Sequence, residues 1–324
     1  MRIVFFGSPE AALPSLSALL AAGHEVPLVV TQPDRPAGRG RLPAPSPVKA
    51  FAVSRGLPTY EPERIRKDPG AVDRLRAVRS DIHIVVAYGQ IMPGSVIDLP
   101  PHRSLNLHFS LLPAYRGAAP ASWAIRRGEK KTGVTIFRLN EKMDEGDIYA
   151  SAEEPIGPDD TTGSLERRLA QIGSGLLIRT LATLDVIAPR PQAHEAATYA
   201  PKLKKGDGAI DWSAEAADVD RHIRSMTPWP TAFGFLGDER LIILAGQPHL
   251  EAGAPPAAYE PGTVLSVGKT GILIACGGGT AYGIARLQPE GRKAMDAAAY
   301  LAGGKIRPGL RLTPAPGVPY RGAD

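Results

Sequence analysis

Residues Arg2 to Thr31 read RIVFFGSPEAALPSLSALLAAGHEVPLVVT. Arg2 to Phe6 is an apolar run of the kind a strand buried on both faces requires. Gly7-Ser8-Pro9 turns the chain into a helix from about Pro9 to Leu20, with Leu13, Leu16, Leu19 and Leu20 on one face and Gly23 as its stop. Val26 to Thr31 is the next strand. Strand, helix, strand at this spacing is the unit of a doubly wound α/β fold, so the first half of the chain is expected to be Rossmann-like. Its first turn has no Gly-x-Gly-x-x-Gly, which argues against a dinucleotide.

The pattern continues with a short helix over Lys49 to Arg55, a short strand over Leu57 to Tyr60, a helix over Ala71 to Val78 and a central strand over Asp81 to Tyr88. Between the first unit and these elements lies Gln32 to Pro47, QPDRPAGRGRLPAPSP, whose five prolines preclude a regular element and leave a semi-rigid loop. Next comes Ser104 to Pro120, SLNLHFSLLPAYRGAAP. Leu105, Leu107 and Phe109 alternate with Asn106 and His108, so a strand here points the two polar side chains to one face, roughly 6.6 Å apart. Two polar groups together near the end of a buried strand need a reason. Catalysis is one; hydrogen bonding to a neighbouring loop is another, and the bare residues are compatible with both.

Asn106, His108, Ser110-Leu111-Leu112-Pro113 and an aspartate 36 residues after His108, Asp144, resemble the signature of the folate-dependent formyltransferases, most of all the branch acting on methionyl-tRNA. Phe109 stands where that pattern asks for a small residue. The resemblance spans about residues 1 to 312. It implies a catalytic group of Asn106, His108 and Asp144, with 10-formyltetrahydrofolate as formyl donor. The folate is expected along Ser110, Leu111, Leu112 and Pro113 and along the exit of the central strand, Tyr88, Gly89, Gln90 and Ile91. It also identifies the Gln32 to Pro47 loop with one that engages the acceptor end of transfer RNA, Arg39 matching the loop arginine most closely tied to that contact.

The turn holding Asp144, Asn140 to Asp147, follows a strand over Gly133 to Leu139. Alone it is equally a solvated loop, and it lacks the ligand periodicity of a calcium loop; Asp147 is expected to be structural. A helix over Ala119 to Arg127 precedes that strand, and a long helix over Gly163 to Leu184, capped by Thr161-Thr162, follows it. The expected division is a first domain over 1–200, a charged linker over 201–207, a second domain over 208–314 and a tail over 315–324. In the second domain a helix over Ala214 to Met226 leads into short strands over Ala232 to Leu236, Leu241 to Ala245, Gly262 to Val267, Gly271 to Ala275 and Ala281 to Leu287. Such spacing argues a small β-barrel of the OB-fold kind. Gly277-Gly278-Gly279 lacks the Lys and Ser or Thr of a phosphate loop and reads as a hairpin turn.

The chain has 324 residues, 43% hydrophobic and 22% charged, an ordinary globular composition long enough for two cores. Cys276 is the one cysteine, so no internal disulfide is possible, which fits a cytoplasmic protein. No run of about 18 apolar residues and no leader pattern is present, and no membrane association is expected. The seven histidines show no metal-ligand spacing, and no metal is expected. Net charge is +5, concentrated in two places. From Arg286 to Arg321 seven basic residues, Lys305 and Arg307 among them, face two acidic ones; Arg35, Arg39, Arg41, Lys49 and Arg55 face only Asp34 in their own stretch. Such clusters suit a polyanion, and Arg35, Arg39, Arg41, Lys202, Lys204, Lys305 and Arg307 are the expected contacts to transfer RNA.

Moving a formyl group to an amine passes through a tetrahedral oxyanion. It therefore needs a donor to that oxygen, removal of the amine's proton and delivery of a proton to N10 of the folate. Asn106 supplies an uncharged N–H donor and protonated His108 a second, while Asp144 favours that protonated form or receives the amine proton through water. The expected activity is formylation of initiator methionyl-tRNA by a monomer. Alternatives are a formyltransferase acting on a small amine such as a nucleotide-linked amino sugar, and an RNA-binding protein built on a decayed enzyme. The basic loop and barrel speak against the first, and intact Asn106, His108 and Asp144 against the second.

Overall fold

A computed structural model of the chain describes residues 1–37, 42–249, 259–268, 271–304 and 306–314. They form two compact units. The first comprises Met1–Ala121, Lys130–Ile156 and Ser164–Lys202; the second comprises Ser122–Glu129, Gly157–Gly163 and the described residues from Leu203 onward.

The first unit begins with β1 (Arg2–Gly7), a short 3₁₀ turn over Glu10–Ala12, α1 (Leu13–Ala21) and β2 (Glu25–Val30), with Leu16 and Leu19 of α1 fully buried. The proline-rich stretch is not irregular throughout: β3 (Arg35–Ala37) and β4 (Leu42–Ala44) pair antiparallel. Prolines are tolerated there because a two-stranded ladder has edges on both sides. Then follow α2 (Pro47–Ser54), whose Ser46 cap accepts the Lys49 N–H, β5 (Thr59–Tyr60), α3 (Ala71–Val78), β6 (Ile82–Val86), α4 (Gly94–Ile97) and β7 (Ser104–His108). After β8 (Arg116–Gly117) and α5 (Pro120–Arg126) come β9 (Lys131–Arg138), β10 (Ile148–Pro155), α6 (Thr162–Ala182) and β11 (Tyr199–Ala200). The strand β10 has no counterpart in the sequence reading, because its charged residues Glu153 and Glu154 mask the β pattern.

One seven-stranded sheet organises the unit in the order β10-β9-β7-β6-β1-β2-β5. Strands β7, β6, β1, β2 and β5 run parallel, and β9 and β10 add an antiparallel edge. Register places Val4, Phe6, Leu28, Val30, His83 and Val85 on one face. All but His83 belong to a single buried cluster with residues of α3 and α4 such as Leu75 and Val96.

In the second unit α7 (Ala216–Ser225) precedes an antiparallel sheet of β12 (Ala232–Leu236), β13 (Glu239–His249), β14 (Val264–Gly268), β15 (Gly271–Ala275) and β16 (Ala281–Pro289). β17 (Met295–Asp296), α8 (Ala297–Leu301) and β18 (Leu312–Thr313) complete it. The order is β14-β15-β16-β13-β12-β18, and a bridge between Thr263 and Arg311 brings the two ends together, giving the curled antiparallel barrel expected. Gly277 to Gly279 form the turn between β15 and β16, and Cys276 beside it is buried, its thiol pushed up to about 12 by burial. The segments 122–129 and 157–163 join this unit because Ser122 Oγ and Thr162 Oγ1 both donate to the Ser225 carbonyl, at 2.9 and 2.7 Å.

His83 makes a prediction. Its ring is fully buried, Nδ1 lies 3.3 Å from Ser104 Oγ, and burial, opposed in part by the Val96 backbone, lowers its pKa to about 4. The unfolded chain gains this proton near pH 6.5, the folded chain only near pH 4. Stability is therefore intact above that window and falls as pH drops through it, by on the order of 3 kcal/mol. A His83→Leu variant is expected to melt with a shallower dependence on pH between 6.5 and 4; an unchanged slope refutes the assignment.

Candidate functional site

The alternation that buries Val85 and Phe6 carries on into β7, placing Asn106 and His108 on that same face at the carboxyl end of the strand. Asn106 sits beside Val85 and Phe137, His108 beside Thr135, and the Phe137 ring stands edge-on to the imidazole at 6.4 Å. From β1 the chain first builds outward through β2 and β5, then returns to lay β6 and β7 on the other side. Open α/β sheets bind ligands at the strand ends where the order reverses in this way.

The chain leaves β7 through Ser110 to Pro113, and that turn is held from inside. Ser110 Oγ donates to the Ala114 carbonyl at 2.6 Å, while Thr135 Oγ1 donates to Ser110 O at 2.7 Å and accepts the Leu112 N–H at 3.1 Å. Leu111 packs against Gly133, where a Cβ would come within 2.6 Å of it. Leu112 is buried, and the Leu112–Pro113 peptide is cis.

Tyr115 and Gly117 then align the site. The Tyr115 carbonyl receives His108 Nε2 at 2.9 Å, which places the proton on Nε2 and turns Nδ1 toward Asp144 Oδ2, 3.9 Å away. That separation is within ion-pair reach and beyond hydrogen-bond length. The Gly117 N–H donates to the same Oδ2 at 2.8 Å. Gly117 has φ +121°, and a Cβ on it would meet the Ala200 carbonyl at 2.6 Å, so a larger residue cannot deliver this N–H. His108 and the Asp144 side chain are both mostly buried. Asp147, three residues on, pairs with Arg138, the structural role expected of it.

At the exit of β6, Tyr88 is buried edge-on against Phe6, and its carbonyl accepts Gln32 Nε2 at 3.0 Å. Gly89 has φ +78° and lies so close to Gln32 that a Cβ would meet its amide nitrogen at 2.3 Å. Gln90 is turned inward, accepting the Ile65 N–H at 2.8 Å and donating to the Pro62 carbonyl at 2.9 Å, while Ile91 is 66% exposed. The Gly94 N–H donates to Glu141 at 3.0 Å, tying this loop to the one carrying Asp144.

Of the basic residues, Arg35, Lys202, Lys204 and Arg307 are exposed; Arg39, Arg41 and Lys305 lie outside the described residues. Arg35 stands 3.6 Å from Glu63, and Lys49 is paired with Asp34 at 2.9 Å and Glu61 at 3.2 Å; Glu61 and Glu63 are acidic partners that a count along the basic stretch does not see. Sequence reasoning assigned no role to Thr135 and Gln192, and Tyr115 and Gly117 stood only as part of the motif; all four act here through hydroxyl, backbone and amide groups that carry no catalytic signature. Among the described residues no group of three His, Cys, Asp or Glu could hold a metal ion, and no helix is long and apolar enough to cross a membrane.

The family model described as formyl transferase matches residues 1–181, and that described as formyl transferase, C-terminal domain, matches residues 202–305. The chain is 44% identical to a methionyl-tRNA formyltransferase of Citrifermentans bemidjiense, over 95% of both chains. It is 42% identical to one of Geobacter sulfurreducens over 99% of both. Among solved structures it is similar to HypX from Aquifex aeolicus in complex with tetrahydrofolic acid, with TM-score 0.65, 19% identity, all of this chain and 50% of that one covered. A second is WlaRD, a sugar 3N-formyl transferase seen with dTDP and 5-N-formyl-THF, with TM-score 0.64, 16% identity and coverage of 90% and 99%.

Phe109, the departure from the motif, is 8% exposed directly after β7. Its ring is therefore part of the packing, and Phe109→Ala is expected to destabilise the protein by about 3 kcal/mol, against about 1 kcal/mol for Phe109→Leu. Wild-type melting of Phe109→Ala would instead make the ring a wall of the site.

Proposed function

We propose that this chain, which belongs to the formyl transferase family, transfers the formyl group of 10-formyltetrahydrofolate to the amino group of methionyl-tRNA. The observation that carries this reading is likeness through both halves to methionyl-tRNA formyltransferases, 41–44% identical over at least 95% of this chain. The likeness to sugar formyltransferases, at 14–20% identity, extends to the fold alone.

Asn106, His108 and Asp144 are the proposed catalytic residues. The folate supplies the activated formyl group, and the strand ends of β6 and β7 suit it: Gly89 brings bare backbone to the surface, and Ile91 offers an exposed apolar side chain beside it. Ser110 to Pro113 contribute shape to that pocket rather than the Ser110 hydroxyl, which is engaged with Ala114. Asn106 donates an N–H to the formyl oxygen as charge develops on it, at no cost in desolvating an ion. His108, with Nε2 held by the Tyr115 carbonyl, turns Nδ1 to Asp144, and this pair receives the proton of the attacking amine and returns it to N10 as the bond from N10 to the formyl carbon breaks, so that tetrahydrofolate leaves. The exposed basic residues Arg35, Lys202, Lys204 and Arg307, with Arg39, Arg41 and Lys305, grip the phosphates of the transfer RNA. We further read the protein as a cytoplasmic monomer with a linker over residues 201–207 between its two domains.

The test is production of formylmethionyl-tRNA from 10-formyltetrahydrofolate and methionyl-tRNA. Asn106→Ala, His108→Ala and Asp144→Ala should each lower turnover by at least about a hundredfold in folded protein. Any variant that turns over normally removes that residue from the scheme. Transfer RNA binding should weaken steeply with salt while folate binding hardly responds. Arg39→Ala should lower turnover, and Arg307→Ala should mainly raise the concentration of transfer RNA required. A flat salt response with unaffected Arg39→Ala would favour a small amine as acceptor.

A further inference from the structure

Arg116 is among the most deeply buried side chains of the protein, 2% exposed, and the scheme above gives it no task. Its Nε and Nη2 donate to Gln192 Oε1 at 3.2 and 2.7 Å. Nη2 also lies 3.0 Å from His194 Nδ1, and Nη1 lies 3.5 Å from Glu145 Oε1. Gln192, itself 5% exposed, turns its Nε2 to the carbonyls of Asp144 at 2.8 Å and Gly146 at 2.7 Å. Only one orientation of the amide works here: the oxygen must face the guanidinium donors and the NH₂ the two carbonyls. Each residue from 144 to 146 is thus gripped, the first and third by backbone and the second by side chain. Asp144 holds φ +52°, a sparsely populated conformation for a residue with a side chain, so the loop needs holding from outside.

We propose that Arg116 and Gln192 form a buried brace that aims the Asp144 carboxylate at His108, which makes both of them positioning residues for formyl transfer. The inference rests on the catalytic role given to Asp144 above. Mere space-filling does not account for the pair, because burying a guanidinium is costly and apolar side chains of similar volume pack as well. What the pair adds is direction. Gly117, the next residue after Arg116, delivers its N–H to Asp144 Oδ2, so one short segment fixes both the backbone and the carboxylate of the loop.

The discriminating variant is Gln192→Glu. Its carboxylate still accepts from Arg116, with a full charge, so the fold should be kept, but it has no N–H for the carbonyls of Asp144 and Gly146. Turnover is expected to fall by about a hundredfold, the effect of a misplacement near 1 Å. Melting should fall by a few degrees, since two buried carbonyls lose their donor, with the protein still folded at the assay temperature, and the KM for each substrate should stay within about threefold. Gln192→Met, uncharged, of similar length and also without the donors, should show the same loss of turnover; it also takes the acceptor from Arg116, so its melting temperature should be the lower of the two, and it guards against a failure specific to the added charge. In an Asp144→Asn background either substitution should lower turnover no further, since the brace acts through that carboxylate. Wild-type turnover in Gln192→Glu or Gln192→Met, with Asp144→Asn inactive, overturns the brace alone. So do losses that multiply in the double variant. Full activity of Asp144→Asn overturns the assignment of Asp144 and the brace with it.

Discussion

The site depends on where the main chain of Tyr115 to Gly117 passes the end of β7. Its carbonyl at Tyr115 orients His108, and its N–H at Gly117 holds Asp144. The segment can serve both groups because its other side is occupied: β8 pairs in parallel with β11, the Arg116 N–H reaches the Thr198 carbonyl at 2.8 Å, and the Ala118 N–H reaches Ala200 at 2.9 Å. A backbone hydrogen-bonded along one edge presents its remaining groups in fixed directions, and fixed directions are what an acid–base pair requires. The cost is steric, since Gly117 touches Ala200 so closely that no side chain fits.

Two histidines on this face show how environment separates structure from chemistry. His83 and His108 lie on adjacent strands β6 and β7, both buried, both on the side of the sheet bearing Phe6 and Val85. His83 has a hydroxyl at one nitrogen, its other neighbours include the Val96 backbone and, among the described residues, no carboxylate, and burial holds it neutral at ordinary pH. His108 sits where the strand ends, a carbonyl fixing one nitrogen and a carboxylate facing the other. The second arrangement has the second partner that a proton-handling imidazole needs.

Charge behaves likewise. The basic cluster around Arg35 and Lys49 is reduced by Glu61 and Glu63, and Arg311 in the second unit pairs with Glu260. Exposed pairs of this kind contribute little to stability, on the order of 0 to 1 kcal/mol. Their larger consequence is for the field, which is carried by the basic residues left without acidic neighbours.

The sequence alone determined the parallel strands β1, β2, β6 and β7, because runs of apolar residues and their punctuation by Gly and Pro are local properties of the chain. It determined that Asn106 and His108 share a face, because a strand has a period of two. Through its motif it also determined the family and the barrel that follows. It missed β10, whose acidic residues break the expected pattern, and the β3–β4 ladder, whose prolines argued against any strand. Only the tertiary structure decided how the site is held. The hydrogen bonds from Gln192 to Asp144 and Gly146 span 48 and 46 residues, and those from Arg116 to Gln192 span 76. No periodicity relates positions so far apart. A buried amide is distinguishable from a surface one only when the groups around it are in place, because its role comes from the directions of its donors and acceptor and not from its residue type.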